Sequence, residues 1–216
     1  MNALIRLTTP DDYAATEAVT REAFWNVYGP GCDEHYLLHV MRGSDGFISE
    51  LDFVAVIDGA IVGNSVGDKS VIRTDDGGEV EVMTLGPISV LPEYQNMGIG
   101  GQLIEQAKNA AREMGFKAIL LYGDPLYYSK FGFRPAATYD IRTGGDMYAE
   151  PLQVFELYPD ALKGMTGRYI ENEIYEVDDA EVAEFDKDFP PKQTQEGTES
   201  QQRFQYLINS RKPRFT

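Results

Sequence analysis

A single cysteine, Cys32, leaves no partner for a disulfide within the chain. Small secreted scaffolds stapled by disulfides are thereby excluded, and a reducing compartment fits. No apolar run reaches the ~18 residues that a membrane span needs. The opening MNALIRLTTPDDYAATEAV has no basic stretch followed by an apolar core, so no secretory signal is expected. Basic residues are scarce: 19 Lys and Arg stand against 35 Asp and Glu, a formal net charge of −16. Most of such a surface would repel nucleic-acid phosphate, which disfavours that partner. The expectation is a cytoplasmic protein with neither membrane nor nucleic acid as partner. The acidity serves solubility and mildly favours a cationic ligand. The only two histidines, His35 and His39, sit at i,i+4 spacing, but no third ligand accompanies them, so no metal is expected.

What is present suits one domain with extensions, or two small ones. A short strand is expected at Ala3 to Leu7. Thr9-Pro10-Asp11-Asp12 then reads as a helix start, with a Thr cap, proline in the first turn and acids beside it. That helix is expected to reach about Val27, stopped by Gly29-Pro30-Gly31. A second helix is expected from Asp33 to about Met41, and a strand over Leu51 to Ile57. Asp58-Gly59 marks a hairpin, with Ala60 to Val66 as the returning strand. A longer strand is expected from Glu79 to Val90, with a bulge or splay at Gly86-Pro87, because proline cannot donate to a ladder.

The clearest helix follows. Ile99, Leu103, Ala107, Ala110, Ala111 and Met114 recur at helical spacing, Lys108 and Arg112 fall on the opposite side, and Gly115 is placed as the stop. Lys117 to Tyr122 reads as a buried strand, Pro125 to Phe131 as a short helix ended by Gly132, and Leu152 to Tyr158 as another strand. Glu171 to Asp188 is acidic. Pro190 to Ser200 is polar with two prolines, and loose packing is expected there.

The strand–helix junction reads VLPEYQNMGIGGQLI, residues 90 to 104, with three glycines in it. A helix N-terminus carries unpaired N–H groups and partial positive charge, and glycines let a phosphate approach them. The glycines either cradle a pyrophosphate or only permit close helix packing or an odd turn. No GxxxxGK[ST] string occurs, and Leu103 stands where a dinucleotide fingerprint would need its third glycine.

Gln95-Asn96-Met97-Gly98-Ile99-Gly100 resembles the Q/R-x-x-G-x-G/A motif of the GNAT superfamily of acyl-CoA-dependent N-acetyltransferases. Val90-Leu91-Pro92 is similar to that family's lead-in. Tyr128-Ser129-Lys130-Phe131-Gly132-Phe133 resembles its second signature, one helix, one strand and one short helix downstream. The resemblance covers about residues 1–157, leaving an acidic C-terminal extension, 158–216, packed on or trailing from the core. Features around Asp33 to Arg42 and Phe155 to Gly164 resemble a bacterial subgroup of predicted N-acetyltransferases.

The resemblance implies an α/β (α+β) fold: a mixed, mostly antiparallel twisted sheet of six to seven strands, with helices on both faces and a splayed central strand pair. It implies acetyl-CoA as acyl donor, without a metal. The pantetheine arm would run along Ile88, Ser89 and Val90. The pyrophosphate would rest on the turn from Gln95 and Asn96 through Met97, Gly98, Ile99, Gly100 and Gly101. Tyr128 takes the family's general-acid position, and an ordinary tyrosine pKa of about 10 keeps it protonated. For the base, Glu79 and Glu81 share a face of the long strand, or are solvated surface. Glu34, Trp25 and Tyr28 are candidates for the groove of an amine acceptor, a small molecule or a peptide; the aromatics are alternatively core. Cys32 would need an activating base to carry an acetyl group, and direct transfer in a ternary complex is expected instead. Asp124 stands where the family often has a cofactor-contacting Asn. The alternatives are a non-catalytic module of this fold that binds acyl-CoA or docks a partner, and a purely structural domain. The state is monomer or homodimer.

Overall fold

The computed structural model describes residues 2–214. Strand β1 (Leu4–Leu7) leads through a tight turn at Pro10–Asp12 into α1 (Tyr13–Phe24), followed by α2 (Glu34–Arg42). Strands β2 (Phe53–Ile57), β3 (Ala60–Thr74) and β4 (Glu79–Val90) come next, then α3 (Ile99–Glu113) and β5 (Ala118–Tyr122). Helix α4 (Pro125–Tyr128) precedes the short strands β6 (Arg134–Pro135), β7 (Ile141–Arg142) and β8 (Met147–Tyr148), and then β9 (Leu152–Glu156). The remainder holds β10 (Gly167–Ile170), α5 (Asp179–Phe185), α6 (Glu199–Ile208) and β11 (Lys212–Pro213).

Local chemistry sets these boundaries. Thr9 N–H donates to Asp12 Oδ2 at 2.9 Å, the backward half of a capping box. Helix α1 stops three residues before the expected Val27, because Trp25 turns extended (φ −55°, ψ 119°) and Asn26 is left-handed (φ +63°). Strand β3 runs eight residues past the expected Val66, its exposed residues Lys69 and Arg73 alternating with buried ones. Leu51 ends a tight turn begun at Ser49, so the strand expected from Leu51 starts at Phe53. Pro125 to Phe131 is one α-turn completed by a tighter turn, and left-handed Gly132 (φ +80°) ends it.

The chain divides into two compact units. One takes in residues 1–67, 86–107 and 173–202. Here β2 pairs antiparallel with β1 and with the start of β3. Leu37, Leu38, Met41 and Val66 form an apolar cluster, with Phe47, Ile174, Tyr175 and Val177 packed on it. A buried ion pair, Arg42 Nε to Asp52 Oδ2 at 2.9 Å, ties α2 to the entry of β2.

The other unit takes in residues 68–85, 108–172 and 203–216. Its strands run β3-β4-β5-β9-β6, with β10 against β3. Strand β5 is parallel to β4, through Met83–Ile119 and Thr84–Leu120, and antiparallel to β9. Ile72, Val82, Ala118, Leu120, Val154 and Tyr169 are all buried in its core. Arg142, itself buried, is held by Asp75, Asp140 and Asp146 at 2.6–3.0 Å. The sheet is thus mixed and mostly antiparallel, as expected.

Candidate functional site

The turn between β4 and α3 belongs to the first unit. Gly86 (φ +149°) and Pro87, joined by a cis peptide, lie within β4. Tyr175 from the C-terminal segment donates its hydroxyl to the Gly86 carbonyl at 3.1 Å. Beyond them, Ser89 turns its hydroxyl inward, 2.9 Å from Thr20 Oγ1 on α1. Gly63 of β3 is so close that a Cβ there would meet Ser89 O at 2.9 Å and Leu103 Cδ1 at 3.2 Å. Only glycine permits that approach, a requirement invisible without the fold.

Pro92–Tyr94 makes one tight turn, and Gln95 folds back to donate from Nε2 to the Val90 carbonyl at 3.0 Å. Asn96 (φ +60°) and Gly98 (φ +83°) are left-handed, which Asn and Gly tolerate best. Residues 95–98 stand exposed, whereas Ile99 and Gly100 are buried. Gln102 N–H donates to Gly98 O at 3.2 Å, inside the first turn of α3. First-turn amides have no intrahelical acceptor, so the bare backbone from 97 to 101 ends on a positive helix pole.

Tyr128 lies in the second unit. Its ring rests on the Gly123 backbone: a Cβ at Gly123 would fall 2.1 Å from Tyr128 Cε2. Tyr127 and Phe133 meet the ring edge-on, at centroid separations of 5.0 and 5.6 Å. Asp124 caps α4 by accepting from Leu126 N–H at 2.9 Å. It also holds Arg203 of α6 in a two-pronged pair, Nε–Oδ2 2.8 Å and Nη2–Oδ1 3.0 Å, which lowers its pKa. Lys108, expected on the polar side of its helix, is buried instead. Its Nζ donates to the Phe131 carbonyl at 2.6 Å and lies 4.0 Å over the Phe155 ring. The segment that carries Tyr128 is therefore held from Gly123, Asp124 and Phe131.

Glu79 and Glu81 are not gathered around Tyr128. Glu79 pairs with Arg73 at 2.9 Å and Glu81 with Lys69 at 2.7 Å, all four side chains more than half exposed. The solvated-surface reading describes both.

Trp25 and Glu34 occupy the α1–α2 region of the first unit. The Trp25 indole N–H donates to Gln193 O at 2.8 Å, under the Arg21 guanidinium at 4.3 Å. Asn26 accepts from Gln195 N–H at 3.0 Å, and Lys192 reaches Glu22 at 2.5 Å. The 190–200 segment, expected to pack loosely, is tied down by these bonds. Tyr28 packs its ring 5.7 Å from Phe24. Desolvation pushes the Glu34 carboxyl up to about 8, with the Asp33 charge adding to it. Cys32 Sγ lies 3.5 Å from His35 Nδ1, but burial raises its thiol pKa far above ordinary, so no thiolate forms there. Among the described residues no group of three or more His, Cys, Asp or Glu could hold a metal ion, and no helix is long and apolar enough to cross a membrane.

Comparison with known proteins agrees with this arrangement. Residues 50–135 match the family model described as an acetyltransferase (GNAT) domain. The chain is 32% identical over 165 residues to the uncharacterized N-acetyltransferase YhbS of Escherichia coli strain K12, covering 76% of this chain and 93% of that protein. The chain belongs to the GNAT family of N-acetyltransferases. Among solved structures, E. coli YhbS in complex with CoA superposes with a TM-score of 0.71 at 29% identity, covering 81% of this chain and 92% of that one. A GNAT family acetyltransferase from Brucella melitensis in complex with acetyl-CoA gives 0.65 at 28% identity, covering 81% and 99%.

Proposed function

We propose that this N-acetyltransferase moves an acetyl group from acetyl-CoA to a primary amine by direct attack in a ternary complex. The observation that carries this reading is the turn into α3, where Gln95 closes on Val90 and left-handed Asn96 and Gly98 leave bare backbone exposed at a helix pole. Such a turn fits a diphosphate, which gains from each charge-assisted N–H bond roughly 1.5–3 kcal/mol. The CoA and acetyl-CoA complexes of the two similar proteins support the same donor.

In this reading the amides of 97–101 take the pyrophosphate, and the backbone of Ile88, Ser89 and Val90 takes the pantetheine arm as an added strand. A main-chain N–H near Ile88 polarises the thioester carbonyl. The neutral amine attacks that carbon, the C–S bond breaks, and Tyr128 gives the departing thiolate its proton. The acceptor is a small-molecule or peptide amine, and the chain's acidity favours a cationic one.

The test is calorimetry with acetyl-CoA, followed by turnover on a panel of amines. Micromolar binding, abolished in Gly100→Asp that remains folded by circular dichroism, supports the reading. Binding left intact by Gly100→Asp removes the pyrophosphate from this turn.

A further inference from the structure

Within the second unit, one face of the sheet changes from apolar to polar along its length. Ile72 on β3, Val82 on β4 and Leu120 on β5 form the apolar part, with Tyr169 of β10 opposite Ile72. Alternation puts Asp68 and Ser70 on the same face of β3, Thr84 two residues beyond Val82, and Tyr122 two beyond Leu120. The geometry confirms that they meet. The buried Tyr169 hydroxyl lies 2.6 Å from Thr84 Oγ1, and its ring is 6.0 Å from that of Tyr122. Glu171 follows β10 directly, two residues past Tyr169, so an extended chain brings it to this same polar end. Asp68 is 2% exposed, whereas Tyr122 is 39% exposed and Glu171 half-buried, so the cluster opens to solvent on the Tyr122 side.

Resting on the transferase reading above, we propose that Glu171 is the general base, taking the proton of the acceptor ammonium at this polar end, with Asp68 holding the cation beside it. The amine arrives as R–NH3⁺. One proton passes to the Glu171 carboxylate, and the freed lone pair forms the C–N bond to the thioester carbon. The C–S bond breaks and the thiolate leaves with a proton from Tyr128; the nitrogen's remaining extra proton returns through solvent to the Tyr128 phenolate, and Glu171 releases its own proton to solvent. Tyr122, partly exposed and backed by the buried Tyr169 ring, supplies an aromatic wall suited to an ammonium.

The surroundings tune Glu171 for the task. Burial, with the Asp68 charge behind it, raises its carboxyl to about 7, near the operating pH of an efficient base. The other titratable groups facing it are Tyr169 and Tyr122, both raised by burial and by the Glu171 charge. Arg211 acts on the Tyr122 side. Neither Asp68 nor Glu171 is near the other in sequence, and neither lies in a recognisable motif.

The experiment compares wild type with Glu171→Gln and Asp68→Asn, using acetyl-CoA with spermidine, tyramine, a lysine peptide and hydrazine. Calorimetry with acetyl-CoA is run first on each. The expected result is unchanged donor binding, kcat/KM for the basic amines down about 100-fold in Glu171→Gln, and loss of the acidic limb near pH 7. Hydrazine, neutral at pH 9, loses less than 10-fold there, which a merely misfolded variant would not show. A wild-type pH limb that persists in Glu171→Gln overturns the proposal. So does a wild-type chain that binds acetyl-CoA and acetylates none of the basic amines. Absence of acetyl-CoA binding in wild type instead overturns the transferase reading, and this proposal with it.

Discussion

At Gly123 the backbone has room for a hydrogen and nothing more, because the Tyr128 ring lies against it. Gly123→Ala must move that ring or the strand end. It is expected to cost about 1–3 kcal/mol of stability, read in denaturant melts, and to lower kcat as much as loss of the Tyr128 hydroxyl does. Tyr128→Phe is expected to lower kcat roughly 10- to 1,000-fold with acetyl-CoA affinity unchanged; an unaltered kcat takes the acid role away from Tyr128. The motif marked Tyr128 and the glycines of residues 98–101 because their chemistry is local: bare backbone at a helix start, an aromatic before Gly-Phe. What makes Gly63 and Gly123 necessary is a neighbour brought close by folding, which the local sequence does not show.

The elements show the same division. Helix α3 is legible from its period and its Gly115 stop, yet the same period places Lys108 on the polar side. Its long stem and ammonium instead fill a place between Phe155 and the Phe131 carbonyl. Lys108→Met keeps the stem and removes the donor, leaving a carbonyl unpaired. The expected loss is about 1–3 kcal/mol, with a lower kcat from the loosened Tyr128 segment, checked by thermal melts and initial rates. In the first unit Asp186 joins Arg21 at 2.6 and 3.0 Å and lies 3.1 Å from His35 Nε2, which it meets without hydrogen-bond alignment. The Arg21 bonds lower the Asp186 pKa, and burial lowers that of His35. Both folded values lie below the unfolded ones, so both contributions are complete above the unfolded pKa and are lost as pH falls. The His35 contribution is therefore expected to be lost as pH passes below about 6.5, where unfolded His35 gains its proton, and the Asp186 contribution below about 4. The raised carboxyls of Glu34 and Glu171 act oppositely, taking protons first in the folded state and adding stability as pH falls from about 8 toward 4.5. The His35 step is read as the difference between wild-type and His35→Gln melts taken between pH 7.5 and 5; a difference that stays constant across that range removes the step from His35.

For the molecule as a whole, the resemblance of residues 95–100 and 128–133 to two GNAT motifs carried the family, and the mixed sheet followed from it. The extension was less legible. Its polar composition resembles that of a loose tail, but its backbone carbonyls and amides bind Trp25 and Asn26, and backbone carries no sequence signature. The influence of the Asp68 charge on Glu171 was equally hidden, since β10 reaches β3 only through the tertiary fold. The net charge of −16 acts at this scale too. For spermidine, kcat/KM is expected to fall as salt is raised from 50 to 300 mM, while kcat holds, because screening weakens attraction of the trication; an unchanged kcat/KM confines recognition to short-range contacts.

Titration of the purified protein with acetyl-CoA in a calorimeter tests the central claim most directly. Micromolar binding to the wild type, lost in folded Gly100→Asp, is the result predicted by the bare turn at the head of α3. No heat from a properly folded wild-type protein would contradict it.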